Sequence, residues 1–221
     1  MLIGFRAFIS SGAGDGGRMI DPGIFRLDFV HGVAIAAWFV LFFVQSILIA
    51  SPNRRLHFKL GWSAVAIALA IAVTGTLVAI RSVQITPRDF HFLGMQYSRF
   101  LLVMLTEIAL YTTFVTVAIL ARKRPRIHRP AMLLASLCLL SGATVRIPWF
   151  RPVFGATGWT GLFGPVFCLG AVLLLARSVL TRSLDRWFAA GYAGWVFLFI
   201  ASEKLAMTDT WATLASAILK V

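Results

Sequence analysis

A chain of 221 residues that is 59% hydrophobic and only 13% charged, with a mean hydropathy of +0.86, carries more apolar surface than a soluble core of this size can bury. Lipid is therefore its expected solvent. A formal net charge of +13 would suggest nucleic acid in a soluble protein, but the basic residues cluster in short loops between apolar runs, so no nucleic-acid partner is expected.

Residues 1 to 28 hold Arg6, a glycine-rich stretch from Gly12 to Gly17 and the pair Asp21-Pro22, without a long apolar run or a clear cleavage site. This reads as a retained, flexible N-terminal arm rather than a signal peptide. Six apolar runs follow, at 29 to 50, 59 to 80, 100 to 121, 131 to 147, 159 to 176 and 187 to 206. Each is about 17 or more residues long, the length that crosses a hydrocarbon layer of about 30 Å as a helix. The expected fold class is thus all-α, an integral membrane bundle of six transmembrane helices over 29 to 206. Past the sixth run, Asp209 can cap a short interfacial helix within 207 to 221, with Trp211, Leu214 and Ile218 at helical spacing.

The loops after the first, third and fifth runs hold Arg54, Arg55 and Lys59, then Arg122, Lys123, Arg124, Arg126 and Arg129, then Arg177, Arg182 and Arg186. These eleven of the 21 basic residues stand against one acid, Asp185. The positive-inside bias makes the three loops cytoplasmic and turns both termini outward.

A shift of 71 residues pairs the first helical hairpin with the second. Phe43, Val44, Ala50, Arg55, His57, Ala64, Leu69 and Ala72 then meet the same residue types at Phe114, Val115, Ala121, Arg126, His128, Ala135, Leu140 and Ala143. Read as a duplicated hairpin, this sets His57 and His128 at one depth, each at the cytoplasmic start of an outward-going helix. The other two of the four histidines, His31 and His91, fall on the outer side, so the four form two layers. Neutral imidazole is a good axial ligand for haem iron, and two helices offering one histidine each can clamp a haem between them.

His31-Gly32, Trp38, Gln45, Ala50, Arg55-Leu56-His57 and Leu60-Gly61 resemble the first hairpin of the di-haem transmembrane b-type cytochromes, which pass electrons from ascorbate or similar donors. The resemblance covers about the first 150 residues. It implies a haem b held by His57 and His128 near the inner face and a second held by His31 and His91 near the outer one. His91, however, lies nine residues before the third run, in Pro87-Arg88-Asp89-Phe90-His91, which suits an outer loop as well as a helix. Over nearly its whole length the chain is also similar to a group of uncharacterised bacterial multi-pass membrane proteins. That similarity rests on Leu56-His57 followed by Leu60-Gly61-Trp62, on the basic turn ending Pro125-Arg126-Ile127-His128, and on Arg146-Ile147-Pro148. It implies a bacterial inner membrane, in which the positive-inside reading places both termini in the periplasm.

Two further polar residues stand out. Glu107 is the carboxylate well inside a run; it reads as a proton relay or counter-ion, or equally as a protonated or paired packing residue. Arg146 lies 18 residues after His128, about five helical turns, where it can meet a haem propionate, a quinone carbonyl or Glu203, or simply anchor the helix at the headgroups. His57 and His128 have a plain reading too, as interfacial companions of the arginine clusters on lipid phosphates. His31, Trp38 and Gln45 repeat every seven residues, the spacing of a packing seam, and Cys138 and Cys168 read as small apolar packing residues.

No Cys-x-x-Cys, His-Glu-x-x-His, phosphate-loop or serine-elbow pattern occurs, which leaves zinc, nucleotide and serine hydrolase chemistry without their parts. Three classes stay open: a b-type haem protein in transmembrane electron transfer, a cofactor-free accessory or assembly subunit of a larger membrane complex, and a small transporter using Glu107 and Arg146. Two histidines on each iron leave no position for oxygen, which favours electron transfer over oxygen chemistry.

Overall fold

The computed structural model describes residues 22–51, 53–155 and 157–219. The expected N-terminal arm lies outside them up to residue 21. Its last part differs from expectation, because residues 22 to 28 already belong to the first helix. Proline at a first helical position gives up an N–H that would have no partner anyway.

The chain divides into two compact units, Asp21–Val78 and a second that takes in Ala79–Val221. The first unit is a helical hairpin. Its α1 is Pro22–Ala50, and α2, Arg54–Ile85, runs on past the unit boundary. Asn53 closes the turn by accepting the Leu56 N–H on its side-chain oxygen at 3.3 Å, the usual service of an N-cap. The two helices are joined by polar contacts near each end. His31 Nδ1 lies 2.9 Å from Thr74 Oγ1, and Gln45 Nε2 donates to the His57 carbonyl at 3.2 Å. Trp38, midway between His31 and Gln45, is 1% exposed. The seven-residue stripe is therefore the seam by which α1 meets α2. Phe29, Val33, Val40, Phe43, Trp62 and Leu69 are exposed, as suits helices surrounded by lipid.

In the second unit the end of α2 is followed by a two-residue hairpin, β1 (His91–Phe92) and β2 (Met95–Gln96), in antiparallel register. Leu93 and Gly94 between them have φ of +52° and +82°, the left-handed pair that a tight hairpin turn needs. Then come α3 (Tyr97–Leu120), α4 (Pro125–Cys138), α5 (Ser141–Thr144), α6 (Arg151–Phe154), α7 (Gly158–Thr181), α8 (Arg186–Ala206) and α9 (Asp209–Leu219). Helix α3 packs on α4, α8 and α9, and α7 on α8. Phe163 and Phe167 of α7 meet Trp195 and Phe199 of α8, with the Phe163 and Phe199 ring centres 4.1 Å apart. Tyr192 fits against Gly170 and donates its hydroxyl to the Phe167 carbonyl at 2.7 Å.

Among the described residues four helices are long and apolar enough to cross a membrane: α1 from Gly23, α2, α3 and α7. The run at 131 to 147 is not one helix. It breaks at Leu139 and Leu140, between α4 and α5. The sequence there is Ser141-Gly142: the Ser141 hydroxyl reaches back to the Cys138 carbonyl at 2.9 Å and glycine gains little from staying helical. At the positions 71 residues earlier, where Ala70 and Ile71 stand, α2 continues unbroken. The run at 187 to 206 is a continuous helix, α8, capped by Asp185, which accepts the Phe188 N–H at 3.0 Å.

The short C-terminal helix is present, with a different cap from the one expected. Thr208 is the cap, accepting the Trp211 N–H at 3.3 Å, because Asp209 is drawn into an ion pair with Arg99 at 3.1 Å. Trp211, Ala215 and Leu219 are buried, whereas Leu214 and Ile218 are about half exposed. Trp211 Nε1 donates to the Arg99 carbonyl at 3.1 Å, which ties α9 to the first turn of α3.

Candidate functional site

The four histidines lie two to a unit, and in each unit at opposite ends of the helices. In the hairpin, His31 is near the start of α1 and His57 near the start of the antiparallel α2. In the second unit His91 precedes α3, while His128, on the first turn of α4, meets the far end of α3. Neither unit by itself brings two histidines together.

Hydrogen-bond partners assign the imidazole tautomers. Thr74 Oγ1 gives its only hydrogen to the Ala70 carbonyl at 2.6 Å, so the contact with His31 is supplied by Nδ1–H of the histidine. His128 Nδ1 lies 2.9 Å from the Ala118 carbonyl and His91 Nδ1 lies 2.8 Å from the Asp89 carbonyl. A carbonyl can only accept, so both rings carry hydrogen on Nδ1. In the neutral rings of His31, His91 and His128, Nε2 is then the nitrogen with a free lone pair. This is the arrangement that orients metal-ligating histidines, with the second nitrogen bonded to a carbonyl. His57 has Nδ1 buried, and its ring stands edge-on to Phe58 at 5.6 Å.

The same contact gives His128 a structural duty. The last four carbonyls of a helix have no partner within it, and Ala118 is in the last turn of α3. His128 therefore caps α3 from the start of α4. His91 stands exposed on β1, not on a helix, held by the turn at Arg88 and Asp89 through the Asp89 carbonyl.

A second polar cluster gathers at the break of the fourth run. Glu107 projects from the middle of α3, and its carboxyl meets the Ser141 hydroxyl. Tyr111, one turn further along α3, and Cys138, the last residue of α4, are 1% and 0% exposed. Arg146 donates to the Gly142 carbonyl, and its charge bears on Glu107. Glu203, one of the acids the sequence offers to Arg146, is buried beside Lys204 at 3.6 Å. Cys138 and Cys168 are free thiols, the first buried and the second exposed.

Sequence reasoning singled out Glu107 and Arg146 but missed Ser141, Tyr111 and Thr74. Tyr111 was legible as the i+4 neighbour of Glu107. Ser141-Gly142 was legible as a breaking pair, and Thr74 carried no signal of its own. Among the described residues no group of three or more His, Cys, Asp or Glu converges as a metal site; an axial pair on haem iron needs two histidines only. The chain matches no protein-family model, no curated protein and no solved structure.

Proposed function

We propose that the chain is a b-type haem protein of the bacterial inner membrane that carries electrons in or across the bilayer, in which His57 and His128 would hold one haem near the cytoplasmic face. The observation that supports this reading most is the His128 imidazole. Its Nδ1–H is committed to the Ala118 carbonyl, which leaves Nε2 as a preset ligand. The pairing with His57 rests on the 71-residue repeat, which gives both histidines the same place at the start of an outward-going helix. When bound, haem supplies a one-electron redox centre. The chain's own part is to fix ring orientation through the Ala118 carbonyl and to present Arg54, Arg55, Arg126 and Arg129 as charge partners for propionates.

The full reading has six crossings, with α8 as the last and the broken α4–α5 segment as the fourth, the first four forming a duplicated hairpin. Irregular backbone at membrane depth is tolerable where protein covers it, and Ser141 and Ala143 are buried. Both termini then face the periplasm. His31 and His91 are a candidate outer pair, but the exposure of His91 makes the inner pair the one on which the proposal stands. Quinone or a larger membrane complex is the natural electron partner of such a protein, and lipid phosphates surround the arginines.

The test is the absorption spectrum of the protein purified from membranes after haem supply during expression. The sharp reduced-state bands of six-coordinate b-type haem are expected. His57→Ala and His128→Ala should each abolish them or leave a high-spin iron, and the double variant should do little more, since two ligands act as one unit. A folded, haem-free sample refutes the proposal and favours an accessory subunit. Six-coordinate spectra in both single variants would refute the ligand assignment alone.

A further inference from the structure

Hydrogen bookkeeping at the break between α4 and α5 defines a site separate from the histidines. Ser141 Oγ touches two oxygens, a Glu107 carboxyl oxygen and, at 2.9 Å, the Cys138 carbonyl. A serine hydroxyl has one hydrogen, and a carbonyl can only accept. When that hydrogen goes to Glu107, the carboxyl accepts from Ser141; when it goes to Cys138, the contact with Glu107 is a hydrogen bond only if the carboxyl is a neutral acid bringing a hydrogen of its own.

The position fits that state. Glu107 lies ten residues past the start of α3 and thirteen before its end, about 15 and 20 Å along the axis, on one of the four helices long enough to cross. An ionised carboxylate at such depth is costly and a neutral one is not. Arg146, which donates to the Gly142 carbonyl, and Cys138 stand at the same break, and Tyr111 lies one turn further along α3. Helix α8 brings Arg186, Tyr192, Glu203 and Lys204, with the last two paired. Helix α9 brings Asp209, paired with Arg99. Helix α4 brings Arg126, His128 and Arg129 at its other end. A buried carboxyl whose hydroxyl partner can donate to it when ionised and accept from it when neutral is built to release and regain a proton.

We propose that Glu107, seated against Ser141 at the helix break, is an intramembrane proton-binding site that exchanges its proton while the chain is folded in the bilayer. The ligand is the proton itself, and the Ser141 hydroxyl is the positioning group.

The experiment uses the full chain in its membrane and dicyclohexylcarbodiimide, an apolar reagent that reacts with protonated carboxyls. The carboxyl proton moves to a carbodiimide nitrogen and the carboxylate oxygen adds to the central carbon. The adduct rearranges to an N-acylurea that retains every atom of both reactants, read as a mass increase on the Glu107 peptide. Labelling is expected at low pH, falling by about tenfold or more as pH rises through the titration. It should be absent from Glu107→Gln, and a water-soluble carbodiimide should not label Glu107. In Ser141→Ala the carboxyl loses its hydroxyl partner, so the pH of half-labelling should move. No movement would mean that Ser141 does not position the carboxyl, which overturns the proposal. So would the absence of any Glu107 adduct while an intramembrane carboxyl of a control protein reacts, or labelling independent of pH.

Discussion

Substitution of Gly170 by alanine tests the packing of α7 on α8 at a point where the structure leaves no room. A Cβ there would lie 2.5 Å from Cε2 and 2.9 Å from Cδ2 of Tyr192, closer than real Cβ atoms come. The ring has little freedom to retreat, because its hydroxyl is bonded to the Phe167 carbonyl and its face lies parallel to Phe188, 7° off, at 6.3 Å. Overpacking of this kind costs about 1–3 kcal/mol, and swinging the ring away forfeits a hydrogen bond worth about 1 kcal/mol. The intrinsic gain of alanine over glycine within a helix, about 1 kcal/mol, offsets part of this, leaving a net loss of about 1–2 kcal/mol. Gly194, on α8, is the control: nothing lies within 4 Å of a Cβ placed there, so Gly194→Ala should be neutral or stabilising. Both glycines sit in long apolar helices, so general effects of lipid or detergent on helix propensity cancel in the comparison. Unfolding in mixed micelles, followed by circular dichroism, should place Gly170→Ala about 2 kcal/mol below Gly194→Ala. Adding Tyr192→Phe, which frees the ring from its carbonyl anchor, should cost less in the Gly170→Ala background than alone. Equal stability of the two alanine variants would show that the Tyr192 ring does not occupy the space over Gly170.

Asp185 both caps α8 and accepts from Arg177, whose Nε lies 3.1 Å away. Asp185→Ala should therefore cost about 1–2 kcal/mol in the same unfolding assay, with Arg177→Gln giving a smaller loss; no loss in either would mean that the cap is not formed. The orientation with cytoplasmic basic loops is tested by single cysteines at exposed loop positions in a Cys138→Ala, Cys168→Ala background. Introduced at Asn53 or Pro125, the thiol should be shielded from impermeant reagents in intact cells, and at Arg88 or Thr157 it should be labelled. Labelling in the opposite order would invert the topology.

Much of the fold follows from the sequence for a simple reason: in lipid every backbone group must be paired within its own segment, so long apolar runs become helices. The runs that became α1, α2, α3, α7 and α8 were legible in this way, as was the short C-terminal helix. The same physics hides the rest. A membrane helix is apolar both toward lipid and toward its neighbours, so periodicity does not tell which face packs. On α9 likewise, Trp211, Ala215 and Leu219 are buried while Leu214 and Ile218 are about half exposed, a choice that helical spacing leaves open. Hydropathy also passes over a break made of small residues, and the run from 131 to 147 reads as continuous although Ser141-Gly142 interrupts it.

At the candidate sites the sequence could nominate titratable residues but not their partners. His128 was visible as a histidine at a helix start; that its Nδ1 meets the Ala118 carbonyl depends on how tightly the turn at 121 to 124 folds α4 back on α3. Glu107 was visible as a lone acid in an apolar run, and its contact with Ser141, 34 residues away, exists only because α4 ends where it does. Residue type and spacing along one helix are local quantities, and these the sequence determined by itself. Which hydrogen reaches which oxygen across two helices depends on distances of a few tenths of an ångström, and only the packing of α3 against α4 and α5 decided those.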